Sequence, residues 1–85
     1  MTYIIYTKTG CEDCDKAKAL LSDEEKVIIN CDLLIKNNRS EFMKSIELKT
    51  RRPFKKFPLI FKDDIYLGSY HELLDHLNFE LVEDF

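Results

Sequence analysis

The sequence predicts a small α/β domain: a four-stranded mixed sheet flanked by helices, in the order β-α-β-α-β-β-α. Three observations predict it. Residues 2–31 read as strand, helix, strand, which requires a parallel pair joined by a right-handed helical crossover. Two later apolar runs, Phe57–Phe61 and Ile65–Leu67, flank the turn Lys62-Asp63-Asp64 and read as an antiparallel hairpin. With 85 residues, 45% hydrophobic and 34% charged, the chain suits one folded unit over 1–85 and is too short for a second core.

The first strand rests on Tyr3, Ile4, Ile5 and Tyr6, a continuous β-branched and aromatic run suited to burial on both faces. Thr9 and Gly10 break it. Glu12 and Asp13 then place negative charge where a helix N-terminus favours it. Ala17, Leu20 and Leu21 recur at helical spacing while Asp15, Lys16 and Lys18 take the other face, so a helix is expected from the cysteines to about Ser22. The acidic turn Asp23-Glu24-Glu25 leads to Val27, Ile28, Ile29 and Cys31, a second strand of buried character. Asn37-Asn38-Arg39-Ser40 is a turn with Asn38 or Ser40 as N-cap. Phe42, Met43, Ile46 and Leu48 mark the next helix, which must end before Arg52 because Pro53 disfavours helical geometry in the residue it follows.

Lys49, Arg51, Arg52, Lys55 and Lys56 form the strongly basic segment. This segment reads equally as a docking site for acidic partners or as a solvated loop. Pro58 sits near the start of the third strand, where a missing N–H is tolerated. Gly68-Ser69 closes the hairpin, and Tyr70, Leu73, Leu74 and Leu77 line one face of a last helix. The acidic tail from Phe79 to Phe85 is weakly patterned and expected to fray. A mixed four-stranded sheet of this order is the thioredoxin-type arrangement.

The formal charge of −3 argues against wholesale nucleic-acid binding, which usually shows a basic domain. No run approaches the ~20 apolar residues that span a bilayer, and the N-terminus lacks a basic lead into an apolar core. A cytoplasmic protein is expected, with no nucleic-acid or membrane partner. Three cysteines do not pair into a secreted disulfide framework, so Cys11-Glu12-Asp13-Cys14 reads as catalytic or metal-binding. Half a zinc site needs two further ligands, and Cys31, His71 and His76 stand in no paired spacing. The redox reading is therefore preferred, with no metal.

Cys11, at a helix start, gains thiolate stabilisation from unsatisfied backbone N–H groups and should be the nucleophile. Cys14, one turn inside, is placed to resolve a mixed disulfide on Cys11. Glu12, Asp13 and Asp15 act the other way, disfavouring the thiolate and making the couple more reducing. Lys8 can favour the thiolate through its charge. Phe57 can offer backbone groups to an extended substrate, while its side chain reads equally well as core. Ser69 and Tyr70 can supply backbone N–H groups to a carboxylate. Cys31 reads as a small buried hydrophobe with no role, and His71 as a surface residue.

Tyr6-Thr7-Lys8 before Cys11-x-x-Cys14, Ala17-Lys18-Ala19-Leu20-Leu21 after it, Phe57-Pro58-Leu59-Ile60-Phe61 and Leu67-Gly68-Ser69 together resemble a glutaredoxin, from Thr2 to about Leu77. The resemblance implies a dithiol oxidoreductase coupled to glutathione as co-substrate, with no tightly bound cofactor. It further implies a cis Pro58 opposite the cysteines, and a glutathione site drawing on Lys8, Phe57, Pro58, Gly68, Ser69 and Tyr70. The basic insertion before Phe57 is longer than usual for the family, and the chain departs from the common pattern at three further places. Glu12-Asp13 replaces Pro-Tyr, Lys56-Phe57 replaces Thr-Val, and Gly68-Ser69-Tyr70-His71-Glu72 replaces Gly-Gly followed by an aspartate pair.

The expected function is thus glutathione-dependent reduction of protein disulfides or glutathione mixed disulfides by a monomer. One alternative is a thioredoxin-like electron donor reduced by thioredoxin reductase and serving a partner such as ribonucleotide reductase. Others are an iron-sulfur cluster held by Cys11 with glutathione across a dimer, and a redox-inert adaptor, against which the presence of both cysteines argues.

Overall fold

The computed structural model describes residues 2–81. Its elements are β1 (Tyr3–Thr7), α1 (Glu12–Leu20), β2 (Lys26–Asn30), α2 (Asp32–Asn37), α3 (Arg39–Thr50), β3 (Leu59–Lys62), β4 (Ile65–Gly68) and α4 (Tyr70–Leu81). The sheet order is β2-β1-β3-β4. β1 runs parallel to β2 and antiparallel to β3, and β3 and β4 form the hairpin. The thioredoxin-type α/β arrangement is therefore present, with one additional short helix.

β1 organises the core because its side chains alternate between two faces. Tyr3 and Ile5 point to one face and join Ala17 and Leu21 of the α1 region, Ile60 of β3 and Leu73 of α4. Ile4 and Tyr6 point to the other, against a cluster containing Phe42 and Ile46 of α3 with Phe57, Leu59 and Phe61. Both layers are required, since a sheet with one bare face would leave its apolar side chains in water. Ile5 and Ile60 have no exposed surface, and complete burial of such a side chain contributes about 1.5–3 kcal/mol.

Three local features differ from the sequence reading. α2 occupies residues read only as the approach to a turn. It has six residues and no buried side chain, so no apolar periodicity announces it. β2, expected to be buried, is an edge strand, and Val27 and Ile28 are 48% and 44% exposed. Apolar continuity specifies a strand but not its place in the sheet. α4 continues through Leu81 into the segment expected to fray, and the rest of that tail lies outside the described residues.

Helix ends follow the capping residues. Asn38 caps α3, its Oδ1 accepting from the Glu41 N–H at 3.0 Å. At the other end Arg51 adopts a left-handed conformation with φ 61°, and Pro53 follows two residues later, as a helix stop requires.

Candidate active site

β1 delivers the chain to the sheet end at Thr7, and the loop Lys8-Thr9-Gly10 turns it into α1. Gly10 has φ +76°, a left-handed conformation that favours glycine. Cys11 is the N-cap of α1, in extended geometry, and its Sγ accepts from the Cys14 N–H at 3.1 Å. The two cysteines are joined as a disulfide with Cα atoms 5.2 Å apart. Cys11 is half-buried, whereas Cys14 is only 1% exposed and belongs to the aromatic core. On reduction, a thiolate on Cys11 would keep the Cys14 N–H donor and the positive end of the helix. The pair has the geometry for reversible dithiol-disulfide exchange.

A carboxylate missed in the sequence holds this loop. Asp32, the first residue of α2, accepts from the Thr9 N–H at 2.9 Å and from the Thr9 hydroxyl, while its own N–H donates to Asn30 Oδ1. The Thr9 hydroxyl, more than any other neighbour, holds the Asp32 carboxyl below the usual aspartate range, with help from the Thr9 N–H. The available signal was an acidic residue just past the strand parallel to β1. Register places that strand end beside the loop, since Thr7 pairs with Asn30.

A groove of 500 Å³ opens next to Cys11, lined by Lys8, Asp32, Arg39, Lys55, Lys56 and Phe57 among others. Lys8, singled out from the sequence, therefore shares a cavity wall with Cys11. Arg39 was read only as part of a turn, and Lys55 and Lys56 only as members of a basic segment. β3 pairs antiparallel with β1, and this brings the segment before β3 back beside the cysteines. The Phe57–Pro58 bond is cis, as the resemblance implied. The Phe57 ring is buried, 6.0 Å from Phe42 and 5.0 Å from Phe54. Its side chain is thus core, as one of the two sequence readings had it, and the residue also lines the groove beside Cys11.

Gly68, Ser69 and Tyr70 diverge in their placement. Gly68 and Ser69 line a second groove of 550 Å³ that shares Phe54, Lys55 and Lys56 with the first. The Tyr70 ring packs against the other face of the sheet, with the Lys16 ammonium 5.7 Å from its centroid. Glu72 makes the local contact that sequence reasoning overlooked. Its Oε1 accepts from the Ser69 N–H at 2.9 Å and from the Ser69 hydroxyl at 3.0 Å, the glutamate half of the arrangement announced by Ser-x-x-Glu. The backbone bond from Ser69 is the main reason the Glu72 carboxyl lies below its usual range. Gly68 makes room for this contact: its φ is +125°, and a Cβ there would sit 2.6 Å from Glu72 Cβ.

The acidic residues beside Cys11 are partly offset. Lys16 lies 3.6 Å from Glu12 and 4.0 Å from Asp13, and Lys18 lies 3.7 Å from Asp15. Cys31 is fully buried, with its thiol donating to the Ile29 carbonyl at 3.6 Å. Burial above all pushes that thiol up from its ordinary pKa, which suits an inert core residue.

The family model described as Glutaredoxin matches residues 3–66. Glutaredoxin 1 of Rickettsia bellii is 34% identical over 73 residues, covering 85% of this chain and 72% of that protein. Glutaredoxin 1 of Francisella tularensis, solved in complex with cacodylate, is 28% identical with a TM-score of 0.71, covering 94% of this chain and 95% of that one. Reduced Escherichia coli glutaredoxin shares the fold, with a TM-score of 0.72 at 24% identity over 95% of this chain and 98% of that one.

Proposed function

The chain belongs to the glutaredoxin family and is a thiol-disulfide oxidoreductase, and from that premise we propose that it uses glutathione to reduce protein disulfides and glutathione mixed disulfides through Cys11 and Cys14. The unequal exposure of the two sulfurs carries the proposal. Cys11 lines the groove, whereas Cys14 is 1% exposed behind it. An incoming disulfide meets Cys11 first.

The Cys11 thiolate attacks one sulfur of the substrate disulfide, and the other sulfur leaves as a thiolate and takes a proton from water. The Cys14 thiolate then attacks Sγ of Cys11 and expels the second substrate sulfur. The substrate has gained two electrons, and the protein holds a Cys11–Cys14 disulfide. Two molecules of glutathione return the electrons and leave as glutathione disulfide. In this reading the Lys8 ammonium attracts the anionic co-substrate, while the backbone at Phe57, before the cis Pro58, offers pairing to an extended chain. Gly68 and Ser69 form the far wall, and Tyr70 packs on the other face of the sheet. The chemistry needs no metal and no tightly bound cofactor. A monomer in the cytosol, where glutathione keeps dithiols reduced, fits these requirements.

One observation favours a second reading, reduction by thioredoxin reductase. The Ser69 N–H, expected to serve a glutathione carboxylate, is already engaged by Glu72. The two readings separate in one assay: reduction of a small disulfide, with NADPH oxidation followed through glutathione and glutathione reductase or through thioredoxin reductase. Turnover with the first system is expected. Turnover with thioredoxin reductase alone would replace the proposal with the second reading.

A further inference from the structure

Five cations gather on one side of a chain whose net charge is −3. Lys8 and Arg39 line the groove beside Cys11, Arg52 lines the second groove, and Lys55 and Lys56 line both. Because Phe54, Lys55 and Lys56 are shared, the two grooves form one trough that runs from Cys11 to Gly68 and Ser69. Two carboxylates also face it, and both have donors of their own: Asp32 is held by Thr9 and Glu72 by Ser69. Among the described residues, none of the five cations forms an ion pair within 4.0 Å; the ion pairs there belong to Lys16 and Lys18. Hydrogen-bonded carboxylates keep their charge, and Lys8 and Lys56 help to hold Asp32 and Glu72 ionised. Five cations thus face two anions, an excess of three like charges that disfavour one another.

Glutathione offers a short answer to this charge. A tripeptide spans at most about 10 Å when extended, and glutathione, with two carboxylates and one ammonium, brings a single net negative charge to an excess of three cations. The backbone of Lys55, Lys56 and Phe57 adds a second requirement. It lies outside β3 and makes no backbone hydrogen bond among the described residues, which leaves it free to pair with a longer extended segment.

The geometry points to a docking trough for an acidic segment flanking the disulfide of a protein substrate. The inference rests on the oxidoreductase reading above and deepens it by naming the chemistry of the partner. The disulfide sits at Cys11, and Asp or Glu side chains beside it meet Lys55, Lys56 and Arg52 along the second groove. Charge of this kind steers encounter and selects partners more than it tightens them.

The test uses the whole chain and three synthetic peptides that share one disulfide loop, flanked by Asp/Glu, by Gly/Ser or by Lys. Turnover is followed with glutathione, glutathione reductase and NADPH. Exposed ion pairs worth about two- to threefold each multiply to about tenfold over two or three contacts. The acidic peptide should therefore exceed the neutral one about tenfold in kcat/KM at about 0.1 M salt. That ratio should approach one at about 1 M, where the Debye length falls from about 10 to about 3 Å. In the Arg52→Ser/Lys56→Ser variant the acidic-to-neutral ratio should drop severalfold, a readout that overall loss of activity does not mimic. Equal kcat/KM for the three peptides at low salt would overturn the inference and leave the oxidoreductase reading intact. Competition by a short single-stranded oligonucleotide as strong as that by the acidic peptide would overturn it in favour of polyanions at large. Failure to turn over any of the three peptides would remove the glutathione-dependent reading and this inference together.

Discussion

Replacing Glu72 with alanine removes the acceptor that serves both Ser69 donors. Ser69 is 4% exposed, so its N–H loses its partner where little water reaches it. An unsatisfied buried donor costs about 1–3 kcal/mol, and loss of a helix N-terminal cap typically costs about 1 kcal/mol. Because Glu72 is itself exposed, solvent screening favours the lower figure, about 1 kcal/mol. For a chain of this size that is a fall in Tm of about 4–8 °C. Calorimetry of the oxidised protein at neutral pH measures it directly, and Glu72→Gln, which keeps an acceptor oxygen, should lose less. The pH dependence supplies a second check. The Glu72 carboxyl is held low by the Ser69 N–H, so its contribution is complete above the unfolded glutamate pKa of about 4.3. It is lost as pH falls through the lower folded value, and the gap between parent and Glu72→Ala should close on acidification. A variant melting within about 1 °C of the parent at neutral pH would refute the reasoning.

Two further outcomes follow from the site. Substituting Glu12→Pro and Asp13→Tyr removes negative charge beside Cys11 and should raise the reduction potential. Since Lys16 already offsets both carboxylates, the rise should be about 30 mV or less, the equivalent of about 1.4 kcal/mol. A redox titration showing no rise would remove the electrostatic argument. Cys31 should resist alkylation in the native reduced protein while Cys11 reacts, because burial raises its thiol pKa. Mass mapping of native labelling that finds Cys31 modified as fast as Cys11 would contradict its placement in the core.

The sequence carried what depends on local pattern and less of what depends on topology. Cys11 at a helix start was legible because Gly10, the cysteine spacing and the acidic first turn are neighbours in the chain. The parallel pair and the hairpin were legible from apolar runs and turn residues. The exposed Val27 and Ile28 were misread because edge and centre strands share the same apolar composition. Asp32 and Arg39 were overlooked because they reach the site only through the β1–β2 pairing and the α2–α3 corner. The basic segment was seen, but its place beside Cys11 follows from the long return of β3 onto β1. Glu72 was legible and passed over: Ser69-x-x-Glu72 at a helix start is a capping signal, and it bears on whether the Ser69 N–H is available to a ligand.

The division of labour between Cys11 and Cys14 is tested most directly by trapping. The Cys14→Ser protein, reduced and exposed to glutathione disulfide, should accumulate one glutathione on Cys11, located by peptide mass mapping. The Cys11→Ser protein should stay unmodified over the same time, because Cys14 is buried behind the groove. Glutathione found on Cys14 in the second variant as readily as on Cys11 in the first would contradict the account.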